Sequence, residues 1–340
     1  MKIRNNIQSL LPYSTARDDY KGGDISVWLD ANESPYNNGV NRYPDPHQKA
    51  LKQAIAQCKG VNAEQVFIGN GSDEAIDLCF RIFCEPGIDN VVSIAPTYGM
   101  YSVAAAINNV EVREVMLNAS DYSLNTQQLL AATDAHTRLL WVCSPNNPTG
   151  NAFSIAQLEE LANRFDGALV VDEAYVDFSS QGSMLSVLNH HPNVIVLQTL
   201  SKAWGMAGLR LGLAFASPSI AAVFARVKYP YNVNGPTQQE VIHRLHTEPH
   251  DAHVAQVLSE RATLAQALAT LPCVLKVFHS DANFLLVKVT QPDALYAHLV
   301  SQGIIVRNRH RVKGCEGCLR VTIGTPDENQ RLLQSFKLFA

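Results

Sequence analysis

No stretch of this 340-residue sequence approaches the roughly 18 consecutive apolar residues that a membrane helix needs. The opening MKIRNNIQSLLPYSTARDDY carries no apolar run long enough for a signal-peptide core, so a soluble, cytoplasmic protein is expected. Neither sign of charge dominates: 27 basic against 31 acidic residues leave −4. That balance gives no electrostatic case for nucleic acid or an anionic membrane as partner. Aromatic residues, at 8%, form no platform for stacking bases. Seven cysteines are an odd number with no legible disulfide framework, which fits a reducing compartment. Cys315 and Cys318 form a single CxxC pair without two further ligands at matching spacing, so no metal is expected. No repeat or low-complexity segment is present. What remains is 46% hydrophobic and 17% charged, which supports a large core and excludes intrinsic disorder.

The length suggests about two domains. Residues 1–45, rich in Asn, Pro, Tyr and Gly, read as an extended arm partly joining the smaller domain. A helical pattern covers His47 to Cys58. Short β-branched runs then alternate with helical stretches through 46–235. The runs are VFIG (66–69), NVVSIA (90–95), VEVREVML (110–117), RLLWVCS (138–144), ALVVD (168–172), NVIVLQT (193–199) and LRLGLAFA (209–216). Helical patterns include Asp73 to Phe83, Thr126 to Ala132 and Ile155 to Phe165. This alternation predicts an α/β fold on a mostly parallel sheet covered on both faces. After the turn-rich YPYNVNGPTQ, residues 236–340 show a long helical region from Gln238 to Leu271. The runs LKVFHS, NFLLVKV, GIIVRN and CLRVTIG follow, as in a small α+β domain.

Chemistry-bearing residues gather at predicted strand ends. Lys202 follows the buried run NVIVLQ, at the carboxyl end where open α/β sheets bind ligands. A desolvated lysine there can act as an amine nucleophile. Taken alone, the pattern more often describes a solvated loop lysine. Asp172 closes ALVVD, where a carboxylate suits a protonated pyridine nitrogen, or caps the next segment. Tyr175, three residues on, is placed to donate to a phenolic oxygen. In SPNNPTG, Asn147 precedes a proline and is pushed out of the helical region, which pins an amide donor or simply shapes a turn. Gly69-Asn70-Gly71-Ser72-Asp73-Glu74 opens a helix whose free N–H groups favour an anion, although its two carboxylates oppose one. Arg210 offers a cationic fork, and Thr199 and Ser201 add hydroxyls. Each feature has a structural reading, but together they describe a pyridoxal phosphate site.

SPNNPTG, VVDEAY and TLSKAWGMAGLRLG resemble the fold type I, aspartate-aminotransferase-like pyridoxal phosphate enzymes. WLDANESPY, NRYPDP, IGNGSDEAID, APTYGMY and GCLRVTIGTPDEN narrow the resemblance to the histidinol-phosphate aminotransferases, over about Arg17 to Asn329. That resemblance implies a large domain on a mostly parallel seven-stranded sheet and a smaller α+β domain. It implies reversible transfer of an amino group between L-histidinol phosphate and 2-oxoglutarate in L-histidine biosynthesis, giving imidazole acetol phosphate and L-glutamate. Lys202 is then the Schiff-base lysine and proton carrier, and Asp172 holds the pyridine nitrogen protonated. Asn147 and Tyr175 contact the ring hydroxyl, and Tyr98 stacks on the ring. Asn70, Gly71, Ser72, Asp73, Thr199, Ser201 and Arg210 surround the cofactor phosphate. Tyr43 reaches the cofactor phosphate of a neighbouring subunit, so a homodimer with shared sites is implied. Arg307 and Arg320 bind the substrate's anionic groups, aided by Asn147, Tyr20, Asn32, Tyr43 and Asn283. The basic run NRHRVK after Arg307, with Arg309, Arg311 and Lys313, is expected to be a solvated loop, with extra attraction for phosphate as the alternative. An aromatic aminotransferase, a threonine-phosphate decarboxylase and a non-catalytic binding protein are the competing readings.

Overall fold

The computed structural model describes residues 1–14, 20, 22 and 27–339. Its larger sheet holds β1 (Val66–Asn70), β2 (Asn90–Ala95), β3 (Glu111–Met116), β4 (Thr137–Cys143), β5 (Ala168–Asp172), β6 (Val194–Thr199) and β7 (Leu211–Phe215) in the order β1-β7-β6-β5-β4-β2-β3. Six strands share one direction, and β7 runs antiparallel to both its neighbours, β1 and β6. The seven runs expected from sequence form these seven strands. Strand alternation explains their apolar continuity: Leu169 and Val171 of β5 enter one core, while Ala168 and Val170 enter the core on the opposite face.

Helices cover both faces. On one side lie α2 (Lys49–Lys59) and α6 (Ile155–Arg164), contributing Leu51, Ile55, Leu158 and Leu161. On the other lie α3 (Ser72–Phe83), α4 (Met100–Ile107) and α7 (Pro218–Val227), contributing Ile76, Phe80, Tyr101 and Phe224. The short α5 (Thr126–Ala131) begins at Asn125, whose side chain accepts the Gln128 N–H. Ser154 and Gln157 form a capping box that starts α6. The arm's described part has little regular structure. An exception is α1 (Asn5–Gln8), which buries Ile7 in the second core.

The helical stretch expected from Gln238 to Leu271 is two helices, α8 (Gly235–Thr247) and α9 (His250–Ala269). Pro249 breaks it, because a proline excludes the preceding residue from helical dihedrals. Glu248 accordingly sits at ψ 134°. Val241 of α8 packs into the large core. A four-stranded antiparallel sheet follows in the order β10-β11-β9-β8, from β8 (Val274–Val277), β9 (Phe284–Val289), β10 (Arg307–Asn308) and β11 (Cys318–Thr322). With α9, α10 (Pro292–Ser301) and α11 (Pro326–Phe339) it encloses its own core around Leu268, Val287, Leu319 and Phe336. Among the described residues no helix is long and apolar enough to cross a membrane.

Candidate active site

The carboxyl ends of β4, β5 and β6 lie side by side, because Cys143 pairs with Asp172 and Asp172 with Leu197. The loops leaving these ends meet at a cavity of about 330 Å³. Lys202, three residues beyond β6, opens into it. The cavity walls desolvate its amine, and the Arg320 guanidinium opposes its charge, so the proton affinity of Lys202 is lowered. Asp172 is buried at the cavity floor. Burial raises its pKa, while the Tyr101 hydroxyl, donating to Oδ2 at 2.6 Å, and the Ala174 N–H, donating to Oδ1 at 3.1 Å, pull it back. Tyr175 lines the cavity above Phe284, edge-on at 5.2 Å, with the Lys202 ammonium 5.8 Å from its ring centroid.

Asn147 reaches the cavity from a tightly laced loop. The neighbouring Asn146 side chain donates to the Pro96 carbonyl at 2.9 Å and to the Thr149 hydroxyl at 2.7 Å. Asn147 Oδ1 accepts from Arg320 Nη1 at 2.5 Å, which leaves its amide N–H₂ as the group free to donate to a bound ring. Tyr98 lies on the cavity wall with its hydroxyl donating to Asp73 Oδ1 at 3.2 Å. Burial, with Asp73 next, pushes the Tyr98 phenol up to about 12.

Gly71, Ser72, Asp73, Thr199, Ser201 and Arg210 gather at the end of the cavity where α3 begins. Gly71 has φ +79°, and a Cβ there would lie 2.7 Å from Arg210 Nη2. Glycine is therefore what allows the guanidinium to cover the loop. The Arg210 Nη2 and Asp73 Oδ2 are 4.0 Å apart, so the acidic first turn is partly neutralised by the same arginine. Glu74, the other carboxylate, is occupied by the Asn70 N–H and the Asn232 side-chain amide.

Arg307 and Arg320 close the opposite wall. Sequence reasoning missed two contributors and favoured the wrong one of two readings for a third. Tyr101 holds the cavity's carboxylate from a helix, a contact that no local pattern reveals. Cys143 lines the floor as the last residue of β4. Arg309, expected in a solvated loop, instead faces the cavity, whereas Arg311 and Lys313 are exposed. Five other expected residues lie outside this lining. Asn70 ends β1 and donates its N–H to Glu74. Asn283 donates no side-chain group there, and its carbonyl accepts from the Ile323 N–H at 2.8 Å. Tyr20 is exposed. Tyr43 stacks on Tyr231 at 4.4 Å and, with Asn32, lines a separate cavity of about 820 Å³ beside α8.

An amine at a strand end facing a buried carboxylate, next to a glycine cradle, is the donor set of a pyridoxal phosphate enzyme. The comparisons with known proteins decide the family. The aminotransferase class I and II model matches residues 16–336. The chain belongs to the class I and II aminotransferases. It is 52% identical over 336 residues to the histidinol-phosphate aminotransferase of Parabacteroides distasonis, covering 98% of this chain and 97% of the relative. It superposes with TM-score 0.82 at 21% identity on the histidinol-phosphate aminotransferase of Clostridium acetobutylicum, over 88% of this chain and 91% of that one. The Sinorhizobium meliloti histidinol-phosphate aminotransferase, solved with pyridoxal 5'-phosphate, superposes with TM-score 0.79 at 23% identity, over 88% of this chain and 84% of that one. These superpositions place the chain in the aspartate-aminotransferase-like fold. The family's cofactor is pyridoxal 5'-phosphate, and this aminotransferase's residues fit it. Lys202 and the buried Asp172 share the cavity, and the Gly71 cradle, which a Cβ would fill, is lined by an arginine fork.

Proposed function

We propose that this aminotransferase moves an amino group reversibly between L-histidinol phosphate and 2-oxoglutarate, yielding imidazole acetol phosphate and L-glutamate in L-histidine biosynthesis. The observation that carries the reading is one cavity with a desolvated amine and a buried carboxylate at its base and guanidinium groups on its outer wall. Relatives of that name, about half identical along nearly the whole chain, support it. When bound, pyridoxal 5'-phosphate supplies an aldehyde and an electron-withdrawing pyridine ring. The chain supplies the rest. Asp172 holds a proton on a ring nitrogen, Asn147 Nδ2 and the Tyr175 hydroxyl orient a phenolic oxygen, and Tyr98 covers the ring. The loop from Gly71 to Asp73, with Thr199, Ser201 and Arg210, grips a phosphate. Lys202 Nζ, its proton affinity lowered by burial, takes a proton from the substrate Cα and returns it. Arg307 and Arg320 bind the anionic end of either substrate, because a guanidinium accepts phosphate and carboxylate alike.

The same reading makes the enzyme a cytoplasmic homodimer, with an arm of 1–45, a large domain of 46–235 and a small domain of 236–340. Tyr43 then serves a second copy's site, which fits its place in a separate cavity, and Asn32 and Tyr20 are assigned to the substrate. The test is direct. Purified protein given the cofactor should show a visible absorption band that changes on adding histidinol phosphate. Glutamate should form with 2-oxoglutarate as acceptor, and Lys202→Ala should lose turnover while keeping its fold. A large preference for phenylalanine in kcat/KM, or carbon dioxide release from O-phosphothreonine, would overturn the substrate assignment.

A further inference from the structure

The β10–β11 side of the cavity carries more positive charge than a carboxylate needs. Arg307 of β10 pairs directly with Arg320 of β11. The Arg309 N–H then donates to the Cys318 carbonyl at 2.9 Å, extending the ladder by one step. Alternate residues of a strand share a face, so Arg307, Arg309 and Arg320 all project to the same side, and all three line the cavity. Like charges placed across a strand pair are destabilising. Among the described residues no carboxylate pairs with any of the three. Arg320 donates to Asn147, a neutral amide. The Nε atoms of Arg309 and Arg320 are buried and hydrogen-bonded to no protein group. Buried donors of this kind require a partner.

The segment holding Arg309 is anchored. His310 Nδ1 accepts the Gly317 N–H at 2.9 Å, and the Tyr122 hydroxyl donates to the Gly314 carbonyl at 2.8 Å. Val312 packs against the large core, and Cys315 and Cys318 are buried in it. The guanidinium is therefore held toward the cavity by a fixed turn.

We infer that Arg309 is a specificity-determining ligand, the third guanidinium of a face that selects a phosphate monoester dianion over a carboxylate. A phosphate ester carries nearly two charges and three acceptor oxygens, whereas a carboxylate carries one charge and is satisfied by one bidentate guanidinium. Arg307 and Arg320 suffice for glutamate, and Arg309 answers the added charge of the phosphorylated substrate. This rests on the transaminase reading above.

The test uses enzyme saturated with pyridoxal 5'-phosphate. In Arg309→Gln, KM for histidinol phosphate and Ki for inorganic phosphate should each rise about tenfold or more, as loss of a charge-assisted hydrogen bond predicts. KM for glutamate should stay within about twofold and cofactor affinity should not change. Arg309→Lys, which keeps charge without the fork, should fall between, and Arg311→Gln should match the parent. An unchanged KM and Ki would overturn the inference. So would an equal rise for glutamate, or a parallel fall in cofactor affinity, which would assign Arg309 to the cofactor's own phosphate. If the parent enzyme fails to turn over histidinol phosphate, the functional reading fails. Calorimetric titration of inorganic phosphate into the parent and Arg309→Gln holoenzymes then still decides the role of Arg309.

Discussion

The charge on Asp172 is governed by opposing neighbours. Burial favours the protonated acid, and the Tyr101 hydroxyl and Ala174 N–H favour the carboxylate. Tyr101 is fully buried and stacked on Trp141 at 4.7 Å, so Tyr101→Phe keeps the packing and removes only the donor. The pKa of Asp172 should then rise further. A carboxyl whose folded pKa lies above its unfolded value contributes stability at low pH that is lost as pH rises through the folded pKa. The cost of this variant should therefore be small in acid and grow to about 1–3 kcal/mol at pH 8, where a poorly satisfied carboxylate stays buried. Urea unfolding at pH 5 and pH 8 measures the difference, and the acid limb of kcat/KM should move to higher pH. An equal loss at both pH values with an unmoved limb would remove Tyr101 from the control of Asp172. Lys202 is shifted in the opposite sense, since burial and Arg320 both lower it, and its amine is freed at a lower pH than an exposed lysine's.

At the level of elements, β7 controls the phosphate end of the cavity. Gly212 pairs with Gly69 of β1 and Thr199 of β6, and a Cβ there would overlap the backbone of Gly71 and Ser72. No flexible side chain is present to yield. Gly212→Ala should displace the start of α3, cost about 1–3 kcal/mol as an overpacked site does, and weaken cofactor binding by at least about tenfold. Gly208→Ala, with nothing within 4 Å of the added carbon, is the matched control. Titration of apoenzyme with pyridoxal 5'-phosphate separates them, and equal affinities would refute the role given to β7. The inner strands of this sheet are legible in the sequence because burial on both faces writes them as nearly continuous apolar runs, whereas the edge strand β3, EVREVM, shows as a β-branched alternation. Asp172 is legible because it ends an apolar run, and Lys202 because it stands three residues past one. Tyr101 is hidden, because its hydrogen bond to Asp172 spans 71 residues and depends on how α4 lies against the sheet. Arg309 is only half legible: charge leaves a solvated run and a phosphate-attracting one both open, and the choice depends on the pairing of a two-residue strand with β11.

For the molecule as a whole, the segment around Tyr43 bears on assembly. Leu29, Tyr36 and Val40 are 87%, 82% and 66% exposed, apolar surface of the kind a second copy would cover. The Tyr43 N–H donates to Glu33, whose carboxylate also pairs with Arg42 at 2.7 Å, so the backbone at Tyr43 is tied to its own chain. A homodimer of about 75 kDa, twice the 37.3 kDa chain, is expected in sedimentation equilibrium. Subunit mixing tests whether Tyr43 crosses between copies. Lys202→Ala lacks the amine, and Tyr43→Ala lacks the arm's ligand, so each homodimer should be impaired. In a mixed dimer the Tyr43→Ala subunit keeps its own Lys202 and receives an intact Tyr43 from the other copy. One of its two sites is then complete. Random reassortment makes half the dimers mixed, so activity should recover to about one quarter of the parent value. If Tyr43 acted within its own chain, no mixed dimer would contain a complete site, and the mixture would show only the average of the two inactive parents.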